Sequence, residues 1–305
     1  MNTAVTAPAP NPAEINGDLK LTAQQLRAYL RYHEDRNQRN SERSRELGIM
    51  TKPIPLPKTR APAAASPARV MVSAFFALAA ERLRPLFAGR SVTMLDLGCG
   101  AGGAVLPFFE AVGLKGRYIG LDIARHRSWD ANTSASFSRE LIVADVHNFD
   151  AATLPPIDLL VSSTALEHIR DDRDSVQRIA ARLAPGGAQV HYVPGEAALP
   201  FYGPHGWRQY SAACLREIFP EGDIYRAGGW CSSALHLRTV TTGGDDAWRF
   251  RHPAMYQALR RLSLVADRVL GNTPATMYGV IVPPTASRYQ TGSLQEHTAL
   301  ASSAA

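Results

Sequence analysis

The residues VTMLDLGCGAGG, numbered 92–103, combine a short apolar run with a turn built almost entirely of small residues. The run is apolar on both faces, which is typical of a strand covered by helices on both sides of a sheet. Glycines after it let the chain turn sharply and bring its backbone close to a ligand. Free N–H groups at such a turn, and at the helix that follows, point toward that ligand. The stretch predicts a strand, a ligand-binding turn and a helix.

Short apolar runs alternate with helical stretches through the middle of the chain. Strands separated by helices form βαβ units, which give a parallel sheet with right-handed crossovers. The sequence therefore predicts an α/β fold. The predicted strands are 92–97, 117–123, 141–146, 157–162, 188–193, 232–240 and 277–282, and the predicted helices are 103–112, 126–138, 175–183, 212–219 and 253–270.

The regions outside this alternation differ in composition. Thr22 is a suitable N-cap for an amphipathic helix whose apolar residues recur at helical spacing. Prolines stiffen the stretch that follows it, as in a linker. These features predict a disordered segment over 1–18, an N-terminal helix over 19–50, a proline-rich linker over 51–67, a main domain over 68–284 and a disordered tail over 285–305.

The formal net charge of +6 raises the question of nucleic-acid binding. The arginines of the N-terminal helix are interleaved with acidic residues, a pattern typical of a solvated helix face. A nucleic-acid surface usually shows a dense basic run or patch instead. The charge pattern therefore disfavours nucleic acid as a partner.

The three cysteines are widely spaced and are not accompanied by a Cys/His pattern of metal-ligand spacing. The N-terminus lacks the charged-then-apolar pattern of a signal peptide. The longest apolar run, 70–80, is too short to cross a bilayer. We therefore expect a cytoplasmic protein with reduced thiols, no membrane partner and no metal.

Two carboxylates near the turn bear on the identity of the ligand. The glycines of the turn also satisfy the dinucleotide-binding pattern, with Asp122 about twenty residues further on. Asp96, however, would repel an anionic pyrophosphate and attract a cation. S-adenosylmethionine carries an ammonium and a sulfonium and has no phosphate. Asp145, which ends the third predicted strand, can accept a hydrogen bond from an adenine amino group. The pattern favours S-adenosylmethionine over NAD.

The chain resembles the class I S-adenosylmethionine-dependent methyltransferases, particularly the broad small-molecule group called type 11. The resemblance rests on LDLGCGAGG at 95–103, YIGLDI at 118–123, ADV at 144–146, IDLLVSSTALEHI at 157–169 and LAPGG at 183–187, and it covers roughly 91–282. It implies a Rossmann-like three-layer α/β sandwich with a seven-stranded, mostly parallel sheet. The last strand would be antiparallel and inserted, with 232–240 and 277–282 in the sixth and seventh places, and the N-terminal helix would be an extension of this fold.

The resemblance also implies a role for individual residues in binding S-adenosylmethionine. Asp96 and the turn Gly98, Cys99, Gly100 and Gly102 would hold the methionine part, Asp122 the ribose hydroxyls, Ile123 and Val146 the adenine ring, and Asp145 the adenine amino group, while Ser163 would border the methyl group.

Two histidines follow strands on the side where an acceptor is expected. A hydroxyl acceptor needs a base whose pKa is near neutral, and histidine suits that role. His168 lies after the fourth strand, and His205 lies in an aromatic-rich loop after the fifth. Either could instead only frame or pack the pocket. We hypothesise that one of them deprotonates a hydroxyl of a small molecule or glycan.

Several residues argue against other kinds of methyltransferase. The residues after the fourth strand, SSTA at 162–165, do not match the motif of amino-adenine methylases, and no cysteine there suits a cytosine-C5 enzyme. The acidic cluster at 171–174 fits the start of a helix, where negative charge is favourable, better than a Mg²⁺ site. An RNA or protein methyltransferase recruited by the N-terminal helix, an NAD-binding oxidoreductase and an inactive cofactor binder stay open as alternatives.

Overall fold

A central sheet organises the part of the chain that the computed structural model describes, which comprises residues 11–56, 61–131, 133–243, 248–271 and 275–284. Its eight strands are β1 (Lys52–Pro53), β2 (Ser91–Leu97), β3 (Lys115–Asp122), β4 (Phe137–Val143), β5 (Ile157–Ser163), β6 (Leu183–Pro194), β7 (Asp223–Ala227) and β8 (Met277–Val282). The α-helices are α1 (Ala23–Glu46), α2 (Pro67–Phe87), α3 (Leu106–Glu110), α4 (Asp172–Ala180), α5 (Leu199–Tyr202), α6 (Ala212–Ile218), α7 (Trp230–His236), α8 (Trp248–Arg251) and α9 (Pro253–Val269).

The strands lie in the order β1-β7-β8-β6-β5-β2-β3-β4. All are parallel except β8, which pairs antiparallel with both β6 and β7. From β2 the chain passes to β3 on one side and later returns to β5 on the other. Ligands of open α/β sheets bind at such a switch point, beyond the carboxyl ends of the strands. The predicted fold class, with its antiparallel last strand, is confirmed; the sheet has eight strands because the short β1 adds an edge.

Helices cover both faces of the sheet, which gives the three layers. Met94 of β2 belongs to a core with Phe75 of α2, whereas the next residue, Leu95, belongs to a core with Ile179 of α4. Alternate strand residues therefore feed opposite cores, as expected for a strand buried on both sides. Gly279 of β8 gives Phe75 room, since a Cβ there would lie 2.2 Å from its ring.

The N-terminal helix begins as predicted and packs on the domain. Thr22 caps α1, and its side chain and that of Gln25 form a capping box. Tyr29 and His33 are buried. Residues 11–18, which we predicted to be disordered, contact the domain: the Gly17 N–H donates to the Gly206 carbonyl at 2.8 Å. Residues 1–10 of that predicted segment, and the predicted tail over 285–305, lie outside the described residues.

The predicted linker over 51–67 is partly structured. Lys52 and Pro53 pair with β7, and Ile54 is buried. The guanidinium of Arg260 donates to the carbonyl of Pro62 at 2.9 Å, which anchors the described residues before α2. Residues 57–60 of this stretch lie outside the described residues.

Two predicted elements are wrong. The strand expected over 232–240 is the helix α7 followed by a π-helical turn, and the sixth strand of the family fold is β7 instead. The carboxylate of Asp267 accepts the N–H groups of Cys231 and Ser232, which stabilises the start of α7, and periodicity could not show this distant partner. In place of the helix expected over 126–138, the described residues form turns and the start of β4, where the Ser134 hydroxyl accepts the Phe137 N–H at 2.8 Å. No helix of the described residues is long and apolar enough to cross a membrane.

Candidate active site

The glycine turn after β2 has a backbone that other residues would strain. Gly98, Gly100, Gly102 and Gly103 all have positive φ values, between 50° and 99°. At Gly98 a Cβ would also lie 2.3 Å from the Cβ of Ala165. Glycine is therefore required both by conformation and by space, and the turn stays narrow enough for a ligand to approach its backbone.

A cavity of about 520 Å³ lies on one side of this turn, at the carboxyl ends of β2, β3 and β5. Asp122 lines it, and one of its carboxylate oxygens accepts the Gly100 N–H at 2.7 Å. Ile123 is 72% exposed in this structure and borders the same space, with Asp145 and Val146 on a neighbouring wall. The carboxylates of Asp122 and Asp145 and the aliphatic side chains of Ile123 and Val146 are thus among the groups that face one cavity, a combination that fits a nucleoside. We call it the nucleoside cavity.

A larger cavity of about 870 Å³ lies on the other side of the turn and is lined by Asp96, Cys99 and Ser163. Gly98, Gly100 and Thr164 line both cavities, so a ligand that occupies both passes this point. Gly102 contributes to the shape of the turn, since its carbonyl accepts a hydrogen bond from Arg139 at 3.0 Å. The helix α2 and several apolar side chains close the far wall of this cavity. We call this space the acceptor cavity, after the methyl acceptor that the sequence leads us to expect. Those apolar residues are Val70, Val72, Val105, Phe108, Leu199 and Met277.

Asp96 is a buried carboxylate at the junction of β2 and the turn. Its side chain accepts the Tyr118 hydroxyl at 2.7 Å. Burial, opposed by this hydrogen bond and reinforced by nearby Asp122, raises the pKa of Asp96 to about 7. A cation in the acceptor cavity would favour the ionised form. Burial likewise raises the pKa of Cys99 to about 12, so this thiol is protonated and inert near neutral pH.

The two predicted catalytic histidines meet at the boundary of the cavities. The rings of His168 and His205 have centroids 4.4 Å apart and are nearly perpendicular. His168 lines the nucleoside cavity, whereas His205 lines the acceptor cavity. The hydrogen bond to Asp18 raises the pKa of His168 against the effect of burial, while burial and the neighbouring His168 lower the pKa of His205.

Sequence reasoning missed three residues of this site. Asp18 contacts His168, with 2.7 Å between a carboxylate oxygen and Nδ1. Glu167 is buried, one of its oxygens lies 3.8 Å from Nε2 of His205, and burial raises the pKa of Glu167 to about 7. Thr164 has a φ of 50°, the one positive value of a non-glycine residue in the described chain. The LEHI motif pointed near Glu167, but nothing in the sequence connected it to residue 18.

The sequence predicts no metal, but near the site an acidic side chain and two histidines lie close enough together to be compared with a metal site. Side chains of Asp18, His168 and His205 offer ligand atoms within 4.8 Å of one another. The 2.7 Å separation between Asp18 and His168 is that of a charge-assisted hydrogen bond. Asp172, which we expected to be solvated, is buried and accepts the Tyr210 hydroxyl at 2.6 Å, so it holds the structure together.

Part of the chain matches a known family model. A family model described as a methyltransferase domain matches residues 94–187, which run from β2 into β6. No curated protein matches the chain.

Solved structures with a similar fold have low sequence identity. The methyltransferase in a complex with the Trm112 methyltransferase activator from Haloferax volcanii is 18% identical, with 68% of this chain and 89% of that chain covered and a TM-score of 0.42. The plantazolicin methyltransferase BamL is 11% identical, with coverage of 85% and 100% and a TM-score of 0.45. Phosphoethanolamine N-methyltransferase 2 from Haemonchus contortus is 15% identical, with coverage of 68% and 52% and a TM-score of 0.44.

The family match covers the strand, the turn and the carboxylates from which the two cavities are built. The chain carries a match to a methyltransferase domain over residues 94–187, and this match agrees with the resemblance to the class I S-adenosylmethionine-dependent methyltransferases found in the sequence.

Proposed function

We propose that this enzyme methylates a hydroxyl of a small molecule or glycan held in the acceptor cavity, with His205 as general base. The observation that carries the proposal is the position of His205, in the wall of the acceptor cavity, beside the point where the two cavities meet. The apolar far wall of this cavity favours an acceptor with an apolar body that carries the hydroxyl.

The residues of the nucleoside cavity fit the nucleoside half of S-adenosylmethionine. Asp122 would accept hydrogen bonds from the ribose hydroxyls, and Asp145 would accept one from the adenine amino group. Ile123 and Val146 would pack against the adenine ring; burying an aliphatic side chain contributes roughly 1.5–3 kcal/mol. This proposal accounts for an isoleucine that is otherwise exposed.

The turn and Asp96 would hold the methionine half. The backbone from Gly98 to Ala101 borders the acceptor cavity without large side chains, and Asp96 supplies negative charge for a cationic ligand. Gly102 would support this turn from outside the cavity lining. Ser163 would border the methyl group, which the cofactor supplies as an electrophile. Correct alignment of the acceptor oxygen is worth roughly 7–11 kcal/mol in well-oriented reactions.

Two features suit His205 to accept the proton of the acceptor hydroxyl. Burial, with the neighbouring His168, lowers the pKa of His205, so the imidazole is neutral near pH 7 and can accept a proton. Nε2 of His205 lies 3.8 Å from a carboxylate oxygen of Glu167, and the ionised form of Glu167 would stabilise the imidazolium. In this arrangement His168 lies beside His205, and His205 is the residue that accepts the proton.

The N-terminal helix supports a small-molecule acceptor over RNA or protein. Its buried face, with Tyr29 and His33, packs on the domain instead of remaining free to recruit a macromolecule. Asn37 of the same face donates to Gln209 at 3.0 Å, close to the acceptor cavity that Gln209 lines.

The test combines an acceptor screen with histidine variants. Hydroxylated metabolites and glycans are incubated with enzyme and S-adenosylmethionine, and products are detected by the mass of one added methyl group. At saturating cofactor, His205→Ala is expected to lower kcat by roughly 10²–10⁴-fold, the usual contribution of a general base. His252 precedes α9, and its ring centroid lies 5.6 Å from that of Trp248; His252→Ala is the matched control and is expected to retain turnover. Unchanged turnover in both His205→Ala and His168→Ala would exclude histidine base catalysis.

A further inference from the structure

The segment 11–22, which precedes α1, crosses the site from outside the matched methyltransferase domain. Asn16 and Asp18 of this segment line the nucleoside cavity. At Gly17 the segment approaches the loop that carries His205 so closely that a Cβ would lie 2.5 Å from the backbone nitrogen of His205. A side chain at position 17 would prevent this contact, and glycine permits it.

Tyr29 of α1 fixes the backbone of the same loop. Its buried hydroxyl lies 3.0 Å from the His205 carbonyl and 3.2 Å from that of Gly206, and it also accepts the His205 N–H at 3.3 Å. With the Gly17 contact, the N-terminal region thus holds the backbone of a proposed catalytic residue from two sides.

The carboxylate of Asp18 bridges the two histidine-bearing loops. One oxygen lies 2.7 Å from Nδ1 of His168. The other accepts the Gly206 N–H at 2.9 Å and lies 3.6 Å from Nδ1 of His205. A single side chain therefore contacts both loops, which are also joined directly by the hydrogen bond from the Trp207 N–H to the Glu167 carbonyl at 2.8 Å.

This geometry fixes a proton on His168. An ionised Asp18 can only accept, so Nδ1 of His168 carries the hydrogen of their bond. The groups that face His168 are Asp18 from the N-terminal segment, Glu167 from its own turn, His205 from the opposite loop and Asp122 from β3. Three of these four are carboxylates, so the surroundings favour a protonated His168 beside a neutral His205.

We propose that Asp18 is a positioning residue for methyl transfer: it holds the Nδ1 proton of His168 and fixes the orientation of this ring beside His205, so that the N-terminal segment completes the active site. The inference deepens the proposed function and rests on it for its effect on turnover. Its structural part, the pairing of Asp18 with His168, can be measured without any acceptor.

The first experiment is an NMR titration of the histidine side chains in the full chain. His168 is assigned among the nine histidines by its loss in His168→Gln. Asp18→Asn keeps the shape of the side chain and removes its charge. The midpoint of His168 is expected to fall by about one pH unit or more in this variant, as is typical when an opposite charge in contact is removed. Glu14 lies in the same segment as Asp18 and pairs with Arg170. The matched control is Glu14→Gln, which is expected to leave the titration midpoint of His168 unchanged.

Turnover supplies the second readout. In Asp18→Asn, kcat is expected to fall by about 10-fold or more, because the amide no longer holds the Nδ1 proton of His168 beside His205. Gly17→Ala, which displaces the segment without changing charge, is expected to lower kcat as well, whereas Glu14→Gln retains it. An unshifted His168 midpoint in Asp18→Asn would overturn the proposal. If the midpoint shifts but neither histidine variant affects turnover, the proposed base catalysis fails while the pairing stands.

Discussion

Replacing Asp96 by asparagine is expected to weaken cofactor binding and to remove part of its pH dependence. The amide keeps the size of the side chain and an oxygen that can accept the Tyr118 hydroxyl, whose bond to Asp96 is 2.7 Å long. The variant therefore changes the charge of the site and little of its packing.

The magnitude follows from charge and from the raised pKa. A cationic group about 5 Å from the carboxylate would gain roughly 3 kcal/mol at an effective dielectric of about 20, or about 100-fold in affinity. Burial raises the pKa of Asp96 to about 7, so the free enzyme must lose a proton to bind the cation below that pH. Between pH 8 and pH 6 this deprotonation costs the wild type about tenfold in affinity, and the affinity is fully present only above pH 7.

Isothermal titration calorimetry with S-adenosylmethionine at pH 6 and pH 8 measures both effects. The ligand's own ammonium also titrates in this range. Because it does so equally with both proteins, the ratio of wild-type to Asp96→Asn affinity isolates the carboxylate. We expect this ratio to rise about tenfold from pH 6 to pH 8. A ratio near one at both pH values would refute the argument that this carboxylate recognises a cation.

The remaining predictions concern the turn, the core and acid stability. Gly98→Ala is expected to strain the turn by about 1–3 kcal/mol and to reduce cofactor affinity at least about tenfold in calorimetry, since its φ is positive and its Cβ would meet Ala165; unaltered affinity would contradict this. Phe75→Ala is expected to lower the free energy of unfolding in urea by about 3–5 kcal/mol, because the ring is fully buried; a loss below about 1 kcal/mol would argue against the packing of α2 described above. His191 is buried and neutral, and burial lowers its pKa to about 3, so its contribution is present above pH 6.5 and is lost as the pH falls. The free energy of unfolding is expected to drop by about 2 kcal/mol from this residue between pH 7 and pH 5, and His191→Gln is expected to flatten the pH dependence by that amount.

The parts of the fold that could be predicted are those in which the local pattern and the tertiary role agree. The strand β2 is apolar on both faces and is followed by glycines with positive φ, so the position of the turn could be inferred from adjacent residues. The positions of Asp96 and Asp122 beside the turn follow in the same way, since each lies near the carboxyl end of a parallel strand. These inferences need only short-range information and the rule for parallel sheets.

The parts that were missed depend on contacts between distant segments. Asp18 lies 150 positions from His168, and its segment has a composition typical of disorder. The segment is ordered by tertiary contacts, among them the burial of Ile15 against Tyr29 and the pairing of Glu14 with Arg170. Asp267 of α9 likewise stabilises the start of α7 by accepting backbone N–H groups there. The local sequence over 232–240, which suggested a strand, does not reveal this distant partner. Tertiary partners decide such segments, and periodicity carries no information about them.

A calorimetric titration of the purified protein with S-adenosylhomocysteine and, separately, with NAD tests whether the glycine turn recognises a sulfur nucleoside. We expect saturable one-to-one binding of S-adenosylhomocysteine that is weakened in Gly98→Ala, and no binding of NAD at the same concentrations. Absence of heat with S-adenosylhomocysteine, or saturable binding of NAD that is lost in Gly98→Ala, would contradict it.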